Sequence, residues 1–457
     1  MFLTREEIEN EKIALIDDLG MRVSYGQLRD DCEKMATSIG SRNVVLLISD
    51  YTIETVRFYY AVMGSSNVPL LIDEKMNNEF IIDYYELYHP QYIWINKKLY
   101  GTISKIGIII CETDGHFLIK TDLEKYDIYP ELAILLTTSG STGSPKTVRI
   151  SKRNLIDNAR ATVDALKLQE NDKGILTLPM SYTYGMTICH MAFCKGATLL
   201  ITQKSIISRE YEEFITREGV TLLHGVPYVY EMFERIGFLD RLPDSLRAMT
   251  MGGGRAKEDL HLKMNRIVQE KKISLFALYG QTEGTCILTK LLDTNKKNEP
   301  GCIGVACLGM KAYLSDEDEL VFEGTSVSLG YANGWEDLSN GDDNKGVLYT
   351  GDIARIDKLG QIYLCGRKKR FLKLLGKRIS LDDIENKLEK ELNIEGVCAG
   401  NDSGICIYVK KGTSIGKDEL RKIIAHKYTI SLSLIIVKFI DEIQRNSQGK
   451  IDYGKLE

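Results

Sequence analysis

Residues 137–146 read TTSGSTGSPK, and the reading of this stretch decides how the rest of the chain is understood. Six hydroxyl side chains, two glycines and one lysine fall within ten positions. Hydroxyls and exposed amides beside a cation suit a phosphate chain. A helix-opening phosphate loop needs G-x-x-x-x-G-K-[ST] at the start of a helix, and this stretch departs from that pattern. Pro145 stands just before Lys146, and the flanks AILLTT and KTVRIS both have strand character. The expectation is a strand-to-strand loop whose grip comes from hydroxyls, backbone amides and one lysine. Its glycines permit conformations that other residues disfavour. Taken alone, the same letters also suit a polar surface hairpin.

Outward from the loop, short apolar strand candidates alternate with helical patterns: NVVLLIS (43–49), ETVRFYYAVMGS (54–65), VPLLID (68–73) and QYIWIN (91–96). That alternation predicts an α/β fold with helices flanking sheets. From about 300, glycine-punctuated short strands (ELVFEG, GVLYTGD, IYLCGR) predict a β subdomain. After the basic run GRKKRFLKLLGKR, Ser380 and Asp383 resemble a capping box. Leu381, Ile384 and Leu388 then keep helical spacing. GICIYVKK, KDELRKIIAHKY and SLIIVKFI continue as strand, helix, strand. The expected domains are a large 1–366 and a small mobile α+β domain, 367–457.

The chain has 457 residues, 44% hydrophobic and 27% charged, as expected of a globular protein with sizeable cores. A net charge of −5 argues against bulk nucleic-acid binding. No apolar run reaches the length of a membrane span, and the acidic start lacks the basic and apolar regions of a signal peptide. The ten cysteines form no C-x-x-C pair, so neither zinc nor a disulfide framework is expected. These features predict a cytoplasmic protein.

Five stretches, in order, and a sixth near the start carry a family resemblance. TTSGSTGSPK resembles the signature loop of the adenylate-forming superfamily: acyl-CoA synthetases, adenylation domains of nonribosomal peptide synthetases, and luciferases. YGQTEGT (279–285) resembles its Y-G-x-T-E, and YTGD (349–352) its T-G-D. GRKKRFLKLLGKRIS (366–380) resembles G-R-x-[DK]-x-x-I-K-x-x-G-x-R-I-E, and NSQGKID (446–452) the C-terminal G-K motif. Near the start, VSYGQLRDDCEKMATSI (23–39) resembles S-Y-x-E-L followed by a helix. The resemblance runs from about residue 12 to the end.

It implies an ATP-dependent ligase that turns a small carboxylic acid into an acyl-adenylate with release of pyrophosphate. The acyl group then passes to a phosphopantetheine thiol, on CoA or an acyl carrier protein. In this reading Thr138, Ser139, Gly140, Ser141, Thr142, Gly143 and Lys146 hold the β- and γ-phosphates. Thr282 bonds the α-phosphate and Glu283 ligates Mg²⁺, a hard cation suited to oxygen ligands. Tyr279 and Gly280 lie at adenine with Gly253 and Gly254 of MGGGRA. Asp352 accepts from the ribose hydroxyls, Arg367 assists there, and Lys369 occupies the hinge position. Lys450 is the catalytic lysine, and the loop around Gly376 lines the thiol tunnel.

LPMSYTYGM (178–186) resembles the family's P-x-x-H-x-x-G, with Tyr182 in place of the usual gate and Gly185 at the motif glycine. LLHGVPYVYEMF (222–233) supplies the other wall through His224, Val226 and Pro227. Ser181, Tyr182, Thr183 and Tyr184 are uncharged, so an ammonium on the substrate would lack a partner and be costly to bury. The expected acid has no free α-amine. The motif also ends in Ser380 where the family usually has glutamate, and the chain is shorter than most members. The alternatives are a ligase that stops at the adenylate or acylates an amine or hydroxyl, and a non-catalytic nucleotide-binding relative.

Overall fold

The structure is a computed structural model and describes residues 7–103, 106–113, 115–137, 146–254, 256, 258–292, 301–374, 377–401, 403–413, 415–428, 430–445 and 451–456. They form two compact units. The first is built from segments 7–137, 146–312 and 322–348, the second from 313–321 and 349–456.

In the first unit, the strands Val44–Ser49, Val68–Asp73, Tyr92–Asn96 and Leu132–Thr137 form the parallel centre of an eight-stranded sheet. Antiparallel strands close both its edges: Thr147–Ser151 with Gly330–Ala332 on one side, His116–Lys120 with Ile108–Glu112 on the other. Every residue of Val44–Ser49 is buried, as expected of a parallel strand covered on both faces. Val44, Leu46 and Ile48 face one core, and Val45 and Leu47 face another.

A second sheet in the same unit carries Ala248–Gly252 between Leu222–Gly225 and Ser274–Gln281, all parallel. The core that includes Val45 and Leu47 extends to the apolar side chains of this sheet. It takes in the helices Tyr25–Ile39, Ile53–Gly64, Lys152–Ala165 and Thr183–Lys195. Burial explains their composition. Residues 183–193 are all buried, so this helix is apolar nearly all round, as a helix without a solvent face must be. It ends at Gly196 in the left-handed region.

In the second unit Asp352–Ile356 pair antiparallel with Ile362–Arg367. A hairpin (Phe371–Leu374, Lys377–Ser380) follows, then the helix Leu381–Lys390. Ser380 caps that helix, its hydroxyl accepting from the Asp383 amide at 3.1 Å. A three-stranded sheet and the helix Lys417–Tyr428 complete a separate core around Ile384, Leu388, Ile407, Leu420 and Val437. Among the described residues no helix is long and apolar enough to cross a membrane, and no two cysteines form a disulfide.

One polar feature holds the edge of the first sheet. The Arg149 side chain has no exposed surface. Its five N–H donors all find acceptors on one excursion of the chain. Nε donates to the Tyr331 carbonyl at 3.0 Å, Nη1 to the carbonyls of Gly341 (3.0 Å) and Asn340, and Nη2 to the Leu329 carbonyl (3.3 Å) and the Asp343 carboxylate. Arg149→Met removes every one of these bonds and is expected to lower the unfolding free energy by about 3 kcal/mol. Arg149→Lys should recover little, because an ammonium cannot reproduce the planar fork. An unchanged urea midpoint in Arg149→Met would show that Arg149 does not hold this edge.

Candidate active site

The strands Leu132–Thr137 and Thr147–Ser151 are antiparallel neighbours whose last paired residues are Thr137 and Thr147. The hydroxyl-rich stretch therefore connects two adjacent strands. Thr138, Ser139, Gly140, Ser141, Thr142 and Gly143 lie outside the described residues. Lys146 is described. Its Nζ sits 4.1 Å from the centroid of the Tyr331 ring, a cation–π contact. Tyr331 belongs to Gly330–Ala332, the edge strand paired with Thr147–Ser151.

The Tyr331 hydroxyl donates to Glu283 Oε1 at 2.6 Å. Burial and the adjacent carboxylate push Tyr331 up from its ordinary value, so the phenol stays protonated as a donor. Glu283 lies in a single 3₁₀ turn, Thr282–Gly284, between the antiparallel strands Ser274–Gln281 and Cys286–Leu292. The turn is clamped from three directions. The Ser328 amide donates to the Glu283 carbonyl at 2.9 Å. The Thr285 hydroxyl donates to the Ser326 carbonyl at 2.6 Å. The hydroxyls of Thr282 and Thr183 are 2.7 Å apart. Gly280 makes the turn possible: a Cβ there would lie 1.4 Å from the Cys286 carbonyl oxygen, an impossible overlap.

Mg²⁺ characteristically takes one or two protein carboxylates and completes its shell with phosphate oxygens and water. Among the described residues no cluster of three metal-ligating side chains exists. Glu283 offers one carboxylate, with Oε1 fixed by Tyr331. That donor set fits a magnesium ion that arrives with a nucleotide and does not fit a resident metal cage.

The expected acid wall gathers at the start of the helix Thr183–Lys195. Tyr182 precedes the helix, and Gly185 lies in its first turn against the Pro179 carbonyl. A Cβ on Gly253 would lie 2.5 Å from the Tyr182 hydroxyl and 3.2 Å from Val226 Cγ1; one on Gly254 would lie 3.6 Å from Pro227 Cδ. The structure thus brings together Tyr182, Val226, Pro227, Gly253 and Gly254. Tyr279 stacks near Phe322, with ring centroids 6.2 Å apart. His224 is fully buried, and its Nδ1 lies 2.8 Å from the Thr250 hydroxyl, which also bonds the Tyr184 hydroxyl. Burial pulls His224 down to about 3, so it is neutral at pH 7. Burial pushes Tyr182 up, so it is also neutral.

In the second unit Asp352, 3% exposed, pairs with Arg367: Nε to Oδ1 is 2.7 Å. They are register partners on adjacent strands. The Asp352 amide donates to the Thr350 hydroxyl at 3.1 Å. Lys368 bridges Glu317 (2.7 Å) and Glu319 (2.9 Å). Arg370 binds Asp382 and Glu385 and lies 4.7 Å from the Tyr453 ring centroid. The basic run therefore spends Arg367, Lys368 and Arg370 on its own carboxylates. Lys369 is in the one-turn segment Lys368–Arg370. Gly376 and Lys450 lie outside the described residues; Arg445 and Ile451, which flank the NSQGK stretch, form an antiparallel bridge.

Sequence reasoning missed Tyr331 and the Thr183–Thr282 contact. A lone tyrosine in SLGYANG carries no local signal, and only the pairing of its strand with the one after Lys146 reveals it. Thr183 reads from sequence as an uncharged wall residue, whereas its hydroxyl meets Thr282.

The model of one protein family, described as AMP-binding enzyme, matches residues 4–332. The chain is 24% identical to a 2-succinylbenzoate–CoA ligase of Geobacillus sp. (strain WCH70), covering 98% of this chain and 95% of that protein. It is 28% identical to a D-alanine–D-alanyl carrier protein ligase of Staphylococcus epidermidis over 58% of this chain and 56% of that one. Among solved structures, ATP-bound MatB from Rhodopseudomonas palustris superposes with a TM-score of 0.80 at 19% identity, covering 98% and 96% of the two chains.

Two predictions follow from this geometry. Gly253 has φ +79°, which costs alanine about 1–2 kcal/mol, and its Cβ also strikes the Tyr182 hydroxyl. Tyr182→Phe should relieve the second penalty and not the first, so a double-mutant cycle with Gly253→Ala should show favourable coupling; strict additivity would refute the contact. The second concerns acid. His224 and His190 are held at about 3 by burial, against about 6.5 unfolded. Below pH 6.5 the unfolded chain binds protons that the native state does not. Stability should therefore fall as pH falls towards 3, by roughly 3 kcal/mol per unit for the pair. His190→Gln should halve that slope in urea titrations.

Proposed function

The chain belongs to the AMP-binding enzyme family, and on that premise we propose that it is an ATP-dependent, AMP-forming acid–thiol ligase. It joins a carboxylic acid to the α-phosphate of ATP, releases pyrophosphate, and hands the acyl group to a phosphopantetheine thiol. The observation that carries this reading is the convergence in the first unit of Lys146, Glu283 and Thr282 through Tyr331 and Thr183.

The obstacle to the first step is charge. A carboxylate and a phosphate oxygen at 4 Å repel by about 4 kcal/mol at an effective dielectric near 20. No general base is needed, because the acid is already ionised at pH 7. The residues must neutralise and align. Thr138, Ser139, Gly140, Ser141, Thr142, Gly143 and Lys146 hold the β- and γ-phosphates and the departing pyrophosphate. Thr282, oriented by Thr183, donates to the α-phosphate. Glu283 holds Mg²⁺, which when bound neutralises phosphate charge. Tyr279, Gly280, Gly253 and Gly254 receive adenine, and Asp352, oriented by Arg367, accepts from the ribose hydroxyls. Lys450 bridges the carboxylate and the α-phosphate.

In this proposal residues 1–366 bind ATP and acid, and 367–457 act as a lid that turns about Lys369 between the two steps. Tyr182, Gly185, His224, Val226 and Pro227 shape the acid site. The neutral states of Tyr182 and His224 support an acid without a free α-amine. The 2-succinylbenzoate and D-alanyl relatives use CoA and a carrier protein by name, and either is a thiol donor of the proposed kind. The proposed location is the cytoplasm, where cysteines without C-x-x-C pairs or a disulfide framework are at home.

Carboxylate-dependent ATP–pyrophosphate exchange over a panel of small, hydroxy, aromatic and amino acids tests the reading. Exchange is expected with an acid lacking an α-amine; an amino acid as sole substrate would overturn the assignment of the wall. Lys450→Ala should cut exchange roughly 10²- to 10³-fold and spare thiol transfer from preformed adenylate. Equal loss of both steps would contradict the two-step lid.

A further inference from the structure

We infer that Tyr331 is a positioning residue that keeps Lys146 and Glu283 apart and available. This rests on the reading of Lys146 as a phosphate ligand and Glu283 as the metal ligand. The same tyrosine touches both: its ring face lies 4.1 Å from the Lys146 ammonium, and its hydroxyl donates to Glu283 at 2.6 Å.

A lysine and a glutamate brought to one site attract each other. Left to pair, each would have to be pulled from the other before the lysine could meet a phosphate or the glutamate a metal ion. The tyrosine gives each a weaker partner. The ammonium rests on the negative face of the ring. The carboxylate has one oxygen fixed by a hydroxyl that adds no charge. The two contacts support one another, since a phenol donating to an anion becomes more electron-rich over its ring. The position of the tyrosine is set from behind: its strand pairs with Thr147–Ser151, and the Arg149 guanidinium holds its carbonyl.

The side-chain chemistry separates the two functions. Tyr331→Phe keeps the ring and loses the hydroxyl. Tyr331→Leu loses both. The test uses the full chain with ATP and no acid, so that nothing turns over. Mn²⁺ binding to the ATP complex is read by electron paramagnetic resonance. ATP binding without divalent ion is read by calorimetry. Tyr331→Phe is expected to weaken Mn²⁺ binding roughly three- to tenfold, the loss of one positioning hydrogen bond, and to leave metal-free ATP binding unchanged. Tyr331→Leu should weaken both. A merely structural role would lower the melting temperature and move both affinities together in Tyr331→Phe, and that result overturns the inference. Glu283→Gln is the control. Wild-type Mn²⁺ affinity in Tyr331→Phe, with weakened affinity in Glu283→Gln, refutes the role of Tyr331 and leaves the site standing. Wild-type affinity in both variants removes Glu283 from the metal site, and the inference falls with it.

Discussion

A guanidinium with no exposed side-chain surface is the interaction on which the site of the first unit depends. Burying an arginine is expensive unless its donors are satisfied. Arg149 meets that condition by taking four carbonyls and one carboxylate from the 329–343 excursion. The strand Gly330–Ala332 is thereby fixed to the strand that follows Lys146. Three residues of edge strand would be a weak attachment alone. With the buried arginine behind it, the tyrosine on that strand becomes a fixed surface against which a cation and a carboxylate are arranged.

The magnitudes explain why an intermediary suits this place. A bare ion pair at 4 Å and an effective dielectric near 20 is worth about 4 kcal/mol. A cation–π contact is worth about 0.5–2 kcal/mol. A site that must open to phosphate and metal is better served by the weaker contacts, because they are exchanged at less cost when the ligand arrives. The second unit shows the opposite choice. Arg370 is held by two carboxylates and a ring, and Lys368 by two carboxylates. These cations anchor the polypeptide around Lys369 and leave less free charge for an anionic partner than the letters GRKKR suggest.

Polar groups beneath the acid wall follow a third rule. His224, Thr250, Tyr184 and Tyr230 form a buried neutral network: the Thr250 hydroxyl meets His224 Nδ1 and the Tyr184 hydroxyl, and the Tyr230 hydroxyl donates to the Thr250 carbonyl. Desolvation, the largest influence on His224, keeps a second proton off the ring. The network therefore shapes the wall without placing charge beneath it.

Much of this was legible in the letters. Periodicity located the strands Val44–Ser49, Val68–Asp73 and Tyr92–Asn96 and the helix Ile53–Gly64, because burial of a strand or helix is written in consecutive side chains. The alternation of strand and helix patterns predicted the α/β class, and the spelling of YGQTEGT singled out Thr282 and Glu283. Gly280 was marked by the same spelling, while the reason for it, the Cys286 carbonyl, came from the turn itself. What the tertiary structure decided is who meets whom across long separations. Thr183 meets Thr282 across 99 positions and Tyr331 meets Glu283 across 48. Arg149 reaches from one strand into an excursion 180 to 194 positions away. No local pattern encodes such pairs, since a single tyrosine or arginine reads the same in a loop, on a surface or in a core. Only strand register and the requirement that buried donors be satisfied assign them their partners.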